Sequence, residues 1–290
     1  MKSFSSFPGC ALHGRLRGVL FALGLLLLLT MDLAAGVLVA PTVIILSDKE
    51  RTGRMTIQNP TNKPREVDIY FGFGLPESDS LGDVRITMQD SNVTDTRSAM
   101  AWIKAFPRKI LLPPNGSQVV RLVATPPESL QTGEYWARIV VRSREGTVAL
   151  SPTGENNQIT TNLNMIMQTA IMLKYRTGEL TAKLELVDAS ASVRDSLVEV
   201  ILNMANRGNV SYVGVLSCRL LDADKKEISH KNVDLAVYRD MKRRFNLPLR
   251  GEKPKPPYQV EVLITTEGRH DIADEDMIFG NVINRTLAVP

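Results

Sequence analysis

Residues 162–176 read NLNMIMQTAIMLKYR. Every second side chain from Leu163 through Met165, Met167, Thr169, Ile171 and Leu173 to Tyr175 builds a mainly apolar face. The intervening positions carry Asn162, Asn164, Ile166, Gln168, Ala170, Met172, Lys174 and Arg176. A period of two marks a β-strand. At about 3.3 Å per residue this one would run about 50 Å, where ordinary strands hold about 5–6 residues. Such length has four explanations: a strand shared between two sandwiches, a buried central strand, a membrane span, or an edge left for another chain. Gln168, Lys174, Arg176 and the asparagines break any apolar run long enough to span a bilayer. A buried central strand needs only half the length. The second half, Ala170–Arg176, is suited to finishing a sandwich. The first half offers Leu163, Met165 and Met167 either to that sandwich's own core or to a partner. No charge or proline guards the run from Asn162 to Leu173, although exposed apolar edges normally carry such guards. Methionine also suits a surface that must fit several shapes, because its side chain is flexible and polarizable.

Outward from this stretch, the N-terminus reads as a secretory signal peptide over residues 1–35. Lys2, Arg15 and Arg17 precede the apolar run GVLFALGLLLLLT, and small residues follow at Ala34, Ala35 and Gly36. An uncleaved anchor is the alternative, since the run with its flank nears the length of a span. Without residues 1–35, Lys+Arg falls from 35 to 32 and Asp+Glu from 31 to 30, a net charge of +2. That balance carries no nucleic-acid footprint. Of the 290 residues 255 then remain, room for one or two domains at about 100–200 residues each. Cys218 is the single cysteine left and has no partner for a disulfide. It reads as a small buried apolar residue.

Between residues 37 and 176, strand-like runs alternate with turn residues. VLVAPTVIIL contains Pro41, which lacks an N–H and so marks an edge strand or one interrupted between two partners. RMTIQN, REVDIYFGFG, VRITMQ, QVVRLVAT and EYWARIVVRSR follow, and WIKAFPRKILLPPNGS turns a proline-rich corner. LPESDSLGD reads as a loop. No amphipathic helix appears. A second set, from TAKLELVDA to NRTLAV, fills residues 177–290. Both sets predict all-β sandwiches in tandem, over 37–176 and 177–290.

Motifs for chemistry are sparse. No HExxH, GxSxG or P-loop occurs, and GFGL (72–75) ends a strand rather than opening a helix. The expectation is a chain that is not an enzyme, with no cofactor and no small-molecule substrate. His230 has no partner nearby in sequence. His270 with Asp271, Asp274, Glu275 and Asp276 is either a divalent-cation loop or a solvated one, and its spacing fits no calcium or zinc pattern. Arg121 and Arg138 read as outward-facing strand residues.

Four blocks in order resemble the N-terminal domain of the PapD-like periplasmic pilus chaperones: MTIQNPTNKP (55–64), ILLPPNGSQVVRL (110–122), GEYWARIVVRSRE (133–145) and QTAIMLKYR (168–176). The resemblance covers residues 37–176, and the second half shares only an immunoglobulin-like sandwich pattern. It implies two immunoglobulin-like β-sandwich domains in tandem, a periplasmic location, and pilin-like subunits as partners, with an outer-membrane assembly protein as a further one. It also implies a mechanism in which a long strand lends alternating apolar residues to a subunit lacking its last strand; the matching positions are Leu163, Met165 and Met167. The family holds the subunit's terminal carboxylate with an arginine and a lysine. The matching positions here are Val43 and Met172, which carry no charge, leaving Lys174 as the substitute anchor. Arg176 matches a basic residue at the family's domain junction.

Overall fold

The computed structural model describes residues 36–146, 165–250, 256–269 and 271–289. The expected signal peptide, Leu163 and His270 lie outside them. The first set of strands is β1 (Leu38–Ala40), β2 (Val43–Ser47), β3 (Thr52–Gln58), β4 (Arg65–Gly72), β5 (Pro76–Ser78), β6 (Val84–Ile86), β7 (Ile103–Phe106), β8 (Lys109–Leu112), β9 (Ser117–Ala124), β10 (Gly133–Glu145) and β11 (Ile166–Thr177). The second is β12 (Leu184–Arg194), β13 (Leu197–Asn206), β14 (Tyr212–Leu221), β15 (Glu227–Val237), β16 (Asp240–Pro248), β17 (Tyr258–Thr265) and β18 (Ile283–Val289). Among the described residues, helix is confined to two short 3-10 turns, and no helix is long and apolar enough to cross a membrane.

The first sandwich packs sheet β1-β3-β9-β7 on sheet β2-β11-β10-β4-β8. Two prolines let one run of chain serve both sheets. Before Pro41, β1 pairs antiparallel with β3; after it, β2 pairs parallel with β11. Before Pro107, β7 pairs with β9; after it, β8 pairs with β4. The strand interrupted between two partners is therefore the outcome at Pro41. Alternation fills the space between the sheets with Met55, Ile57, Val67, Ile69, Leu122, Ile139, Val141, Leu173 and Tyr175. The second sandwich packs β12-β13-β16 on β15-β14-β17-β18 around Val198, Val200, Leu202, Leu216, Cys218, Phe245, Val260 and Val262. Both are immunoglobulin-like: two facing sheets, antiparallel except for the β2–β11 pair, with inward-facing residues at every second position.

The stretch expected as a loop, LPESDSLGD, instead opens a hairpin, β5–β6. This hairpin reaches the second sandwich. The Lys242 N–H donates to Ser78 Oγ (2.8 Å), Lys242 Nζ donates to the Ser80 carbonyl (2.8 Å), and Arg244 pairs with Asp83 (2.8 Å). Gly82 sits at φ +85° against the backbone of Arg244, where a Cβ would stand 2.9 Å from that nitrogen, so both conformation and space call for glycine. Val84 packs on the second core. The hairpin thereby covers part of β16, an edge strand of its sheet.

Candidate functional site

Strand β11 has two unlike halves. From Ile171 to Arg176 every residue is buried. Ile171, Leu173 and Tyr175 enter the first core, each contributing about 1.5–3 kcal/mol by burial. Tyr175 is fixed further by an edge-on contact with Trp102 (5.0 Å between ring centroids) and by donating its hydroxyl to Asp48 (2.7 Å). From Ile166 to Gln168 the strand is exposed, as is Met165 before it. Met165 is 48% exposed, Ile166 56% and Met167 38%. Met165 and Met167 share the parity of Ile171 and Leu173, so they continue the core-facing row past the point where the core ends. Gly36 lies against the Met167 side chain.

Backbone pairing divides the strand in the same place. β10 pairs with β11 along its whole length, from Arg144↔Ile166 to Gly133↔Thr177. On the other edge β2 pairs only with Met172–Arg176. The Met172 N–H donates to the Thr42 carbonyl (3.2 Å), so even-numbered residues face this edge. The backbone groups of Ile166, Gln168 and Ala170 therefore point to an edge with no strand partner among the described residues.

The even-numbered side chains of the second half face the other sandwich. Met172 packs with Phe73, Leu75, Trp136 and Tyr238. Lys174 is 1% exposed; its Nζ lies 2.6 Å from Ser211 Oγ and 3.4 Å from Glu134 Oε1. Arg176 Nε donates to Glu134 Oε2 (2.9 Å), and another guanidinium nitrogen donates to the Asp276 carbonyl (2.5 Å). Glu134 also accepts from Trp136 Nε1 (2.6 Å) and Ser211 Oγ (2.5 Å). Burial pushes the Glu134 carboxyl upward, but Lys174, Arg176 and these hydrogen bonds outweigh it and hold it below the ordinary range. Burial likewise lowers Lys174, opposed by Glu134. Ser211 and Asp276 belong to the second strand set, so this charge cluster joins the two sandwiches.

Among the residues singled out in the sequence, Lys174 and Arg176 converge on one carboxylate, while Met165 and Met167 lie on the exposed half of β11. As a carboxylate anchor Lys174 is already engaged by the chain's own Glu134. Val43 and Met172 are opposite each other in register and line apolar clusters. Arg121 is exposed, as expected. Arg138 faces outward on β10 but is partly covered and donates to the Gly74 carbonyl (3.0 Å). Cys218 is buried, and burial pushes its thiol up to about 12. His230 pairs with Glu227 (2.8 Å). Asp271 is bound by Arg269, and no group of three metal-ligating side chains occurs among the described residues. Glu134 was missed in the sequence: at the head of EYWARIVV it reads as an ordinary strand-end acid.

No family model matches the chain, and no curated protein matches it. Solved structures overlap it loosely. The YadV chaperone aligns at 16% identity over 87% of this chain and 98% of its own, with a TM-score of 0.42. The Pseudomonas aeruginosa CupB2 chaperone gives 13% identity, 87% and 100% coverage and 0.42. The E. coli chaperone DraB gives 14% identity, 87% and 97% coverage and 0.41. Superpositions at this level carry no functional weight.

Proposed function

We propose that the chain is a divergent relative of the PapD-like pilus chaperones: an exported, non-enzymatic chaperone that lends Leu163, Met165 and Met167 to a pilin-like subunit lacking a strand. The observation that carries this reading is the one-sided pairing of β11 over Ile166–Ile171, beside a row of exposed apolar side chains. A strand added there gains main-chain hydrogen bonds, while alternate side chains fill its pockets. Each buried side chain contributes about 1.5–3 kcal/mol. The four sequence blocks support the same reading. Export to the periplasm, units over 37–176 and 177–290, and an outer-membrane assembly protein as second partner belong to it.

A second reading is an exported adaptor on the same frame without strand lending. Its support is the apolar pair Val43 and Met172 where the resemblance implies cations, together with the engagement of Lys174 by Glu134. Arg176 serves both readings as the residue that fixes the junction.

Co-expression with fimbrial subunits from the same source separates them. The wild type should hold a subunit as a one-to-one complex on size exclusion. Met165→Asp and Met167→Asp should each lose the complex while keeping the wild-type thermal midpoint. A complex that survives both changes refutes strand lending. Unfolding of both variants would instead assign the methionines to the chain's own core.

A further inference from the structure

The second sandwich has a seam between β15 and β16. These strands are consecutive in sequence but belong to opposite sheets, and each is an edge of its sheet. Odd-numbered residues of both face inward, which brings two cations to one aromatic ring. Lys231 Nζ lies 5.9 Å from the centre of the Phe245 ring, and the Arg243 guanidinium carbon lies 5.3 Å from it. Neither cation has a carboxylate partner among the described residues. Arg243 Nε is buried and has no hydrogen-bond partner. Ser229 precedes Lys231 by two residues on the same face and is 9% exposed; its Oγ is buried and also unpartnered. Ser229, Lys231 and Arg250 line a groove of about 480 Å³ at this seam. The one carboxylate lining it among the described residues, Glu227, is engaged by His230 and faces Arg219 at 4.0 Å.

A ring face attracts a cation, but two cations at one ring repel each other, and buried donors without acceptors are costly to keep. A small anion would ease both: its oxygens accept from the Lys231 ammonium and the Ser229 hydroxyl, and its charge offsets the pair of cations. We propose that the β15–β16 seam binds a tetrahedral oxyanion of phosphate size, held in this groove by Lys231 and Ser229, with the Arg243 charge next to them at the Phe245 ring. The site is separate from the β11 edge and does not depend on the chaperone reading.

Calorimetric titration of the full chain with inorganic phosphate, at ionic strength held constant with chloride, tests this. Saturable binding at one site is expected, weakened at least tenfold in Lys231→Gln and in Arg243→Met and unchanged in the exposed control Arg285→Gln. Titration with glycerol phosphate tells a free ion from a phosphate carried on a larger molecule. Preference for the monoester would assign a carried phosphate, and equal binding a free ion. Lys231 is exposed, so Lys231→Gln keeps the test valid if Arg243→Met fails to fold. Failure of wild type to bind either probe, or equal binding by Lys231→Gln, overturns the proposal.

Discussion

Glu134 and Arg176 stand directly opposite each other on β10 and β11, and their side chains meet at 2.9 Å with the carboxylate wholly buried. Lys174 and Ser211 reach the other oxygen. One acidic side chain thus neutralises two cations of its own sandwich and accepts a hydroxyl from the other.

Replacing that acid should unsettle the junction. Glu134→Gln leaves Lys174 and Arg176 buried without a counter-charge, and breaking such a pair typically costs about 3–5 kcal/mol. Urea unfolding should show a loss of this order. A loss within the roughly 0.5 kcal/mol usual for surface changes would refute the assignment.

The same carboxylate sets a response to acid. Its folded value lies below the unfolded 4.5, so its contribution is fully present above pH 4.5 and is lost as pH falls through the lower folded value. Wild-type stability should therefore drop on acidification below 4.5 more steeply than that of Glu134→Gln. Parallel profiles would contradict the pairing.

The two halves of β11 should answer truncation differently. Leu173→Ala empties a core position and should cost about 2–5 kcal/mol. Met167→Ala should stay near the roughly 0.5 kcal/mol of a surface change. Comparable losses at both sites would place Met167 in the core.

The β5–β6 hairpin should protect β16. The Arg244–Asp83 pair is partly exposed and by itself is worth only about 0–1 kcal/mol, so Asp83→Ala should change little. Replacing residues 77–85 by a short glycine-serine link should speed amide hydrogen exchange at Lys242 and Arg244. Unchanged exchange there would show that the hairpin is not a cover.

Cys218 should resist iodoacetamide in the folded protein at neutral pH, because burial both blocks access and pushes its thiol up to about 12. Labelling should begin only across the urea transition. Rapid labelling of the native protein would contradict its place in the second core.

Much of this frame was legible in the sequence. Alternation in REVDIYFG and EYWARIVV marks core-facing rows, and Pro41 marks the strand divided between two sheets. The burial of Cys218 follows from its place in an apolar run. The hairpin at 76–86 was half legible: VRITMQ reads as a strand, but PES inside LPESDSLGD is too short and polar to declare itself as its partner. Their pairing gains its cover from β16, some 160 residues away. Glu134 was hidden for a related reason. Its partners Lys174 and Arg176 are visible as charges in a strand, but only the β10–β11 register puts them on one carboxylate. The exposed half of β11 was legible as an apolar row, whereas its destination depends on where β2 begins.

That starting point has a geometric consequence. Because β2 takes over the rim of β11 at Met172, six residues, Ile166–Ile171, about 20 Å at strand spacing, have no strand on that edge among the described residues. The Thr42 carbonyl and Val43 form a buffer stop at the far end. On the strand-lending proposal the molecule is thereby a gauge: the start of β2 would fix how far a guest chain slides, and so which of the guest's side chains meet the methionines.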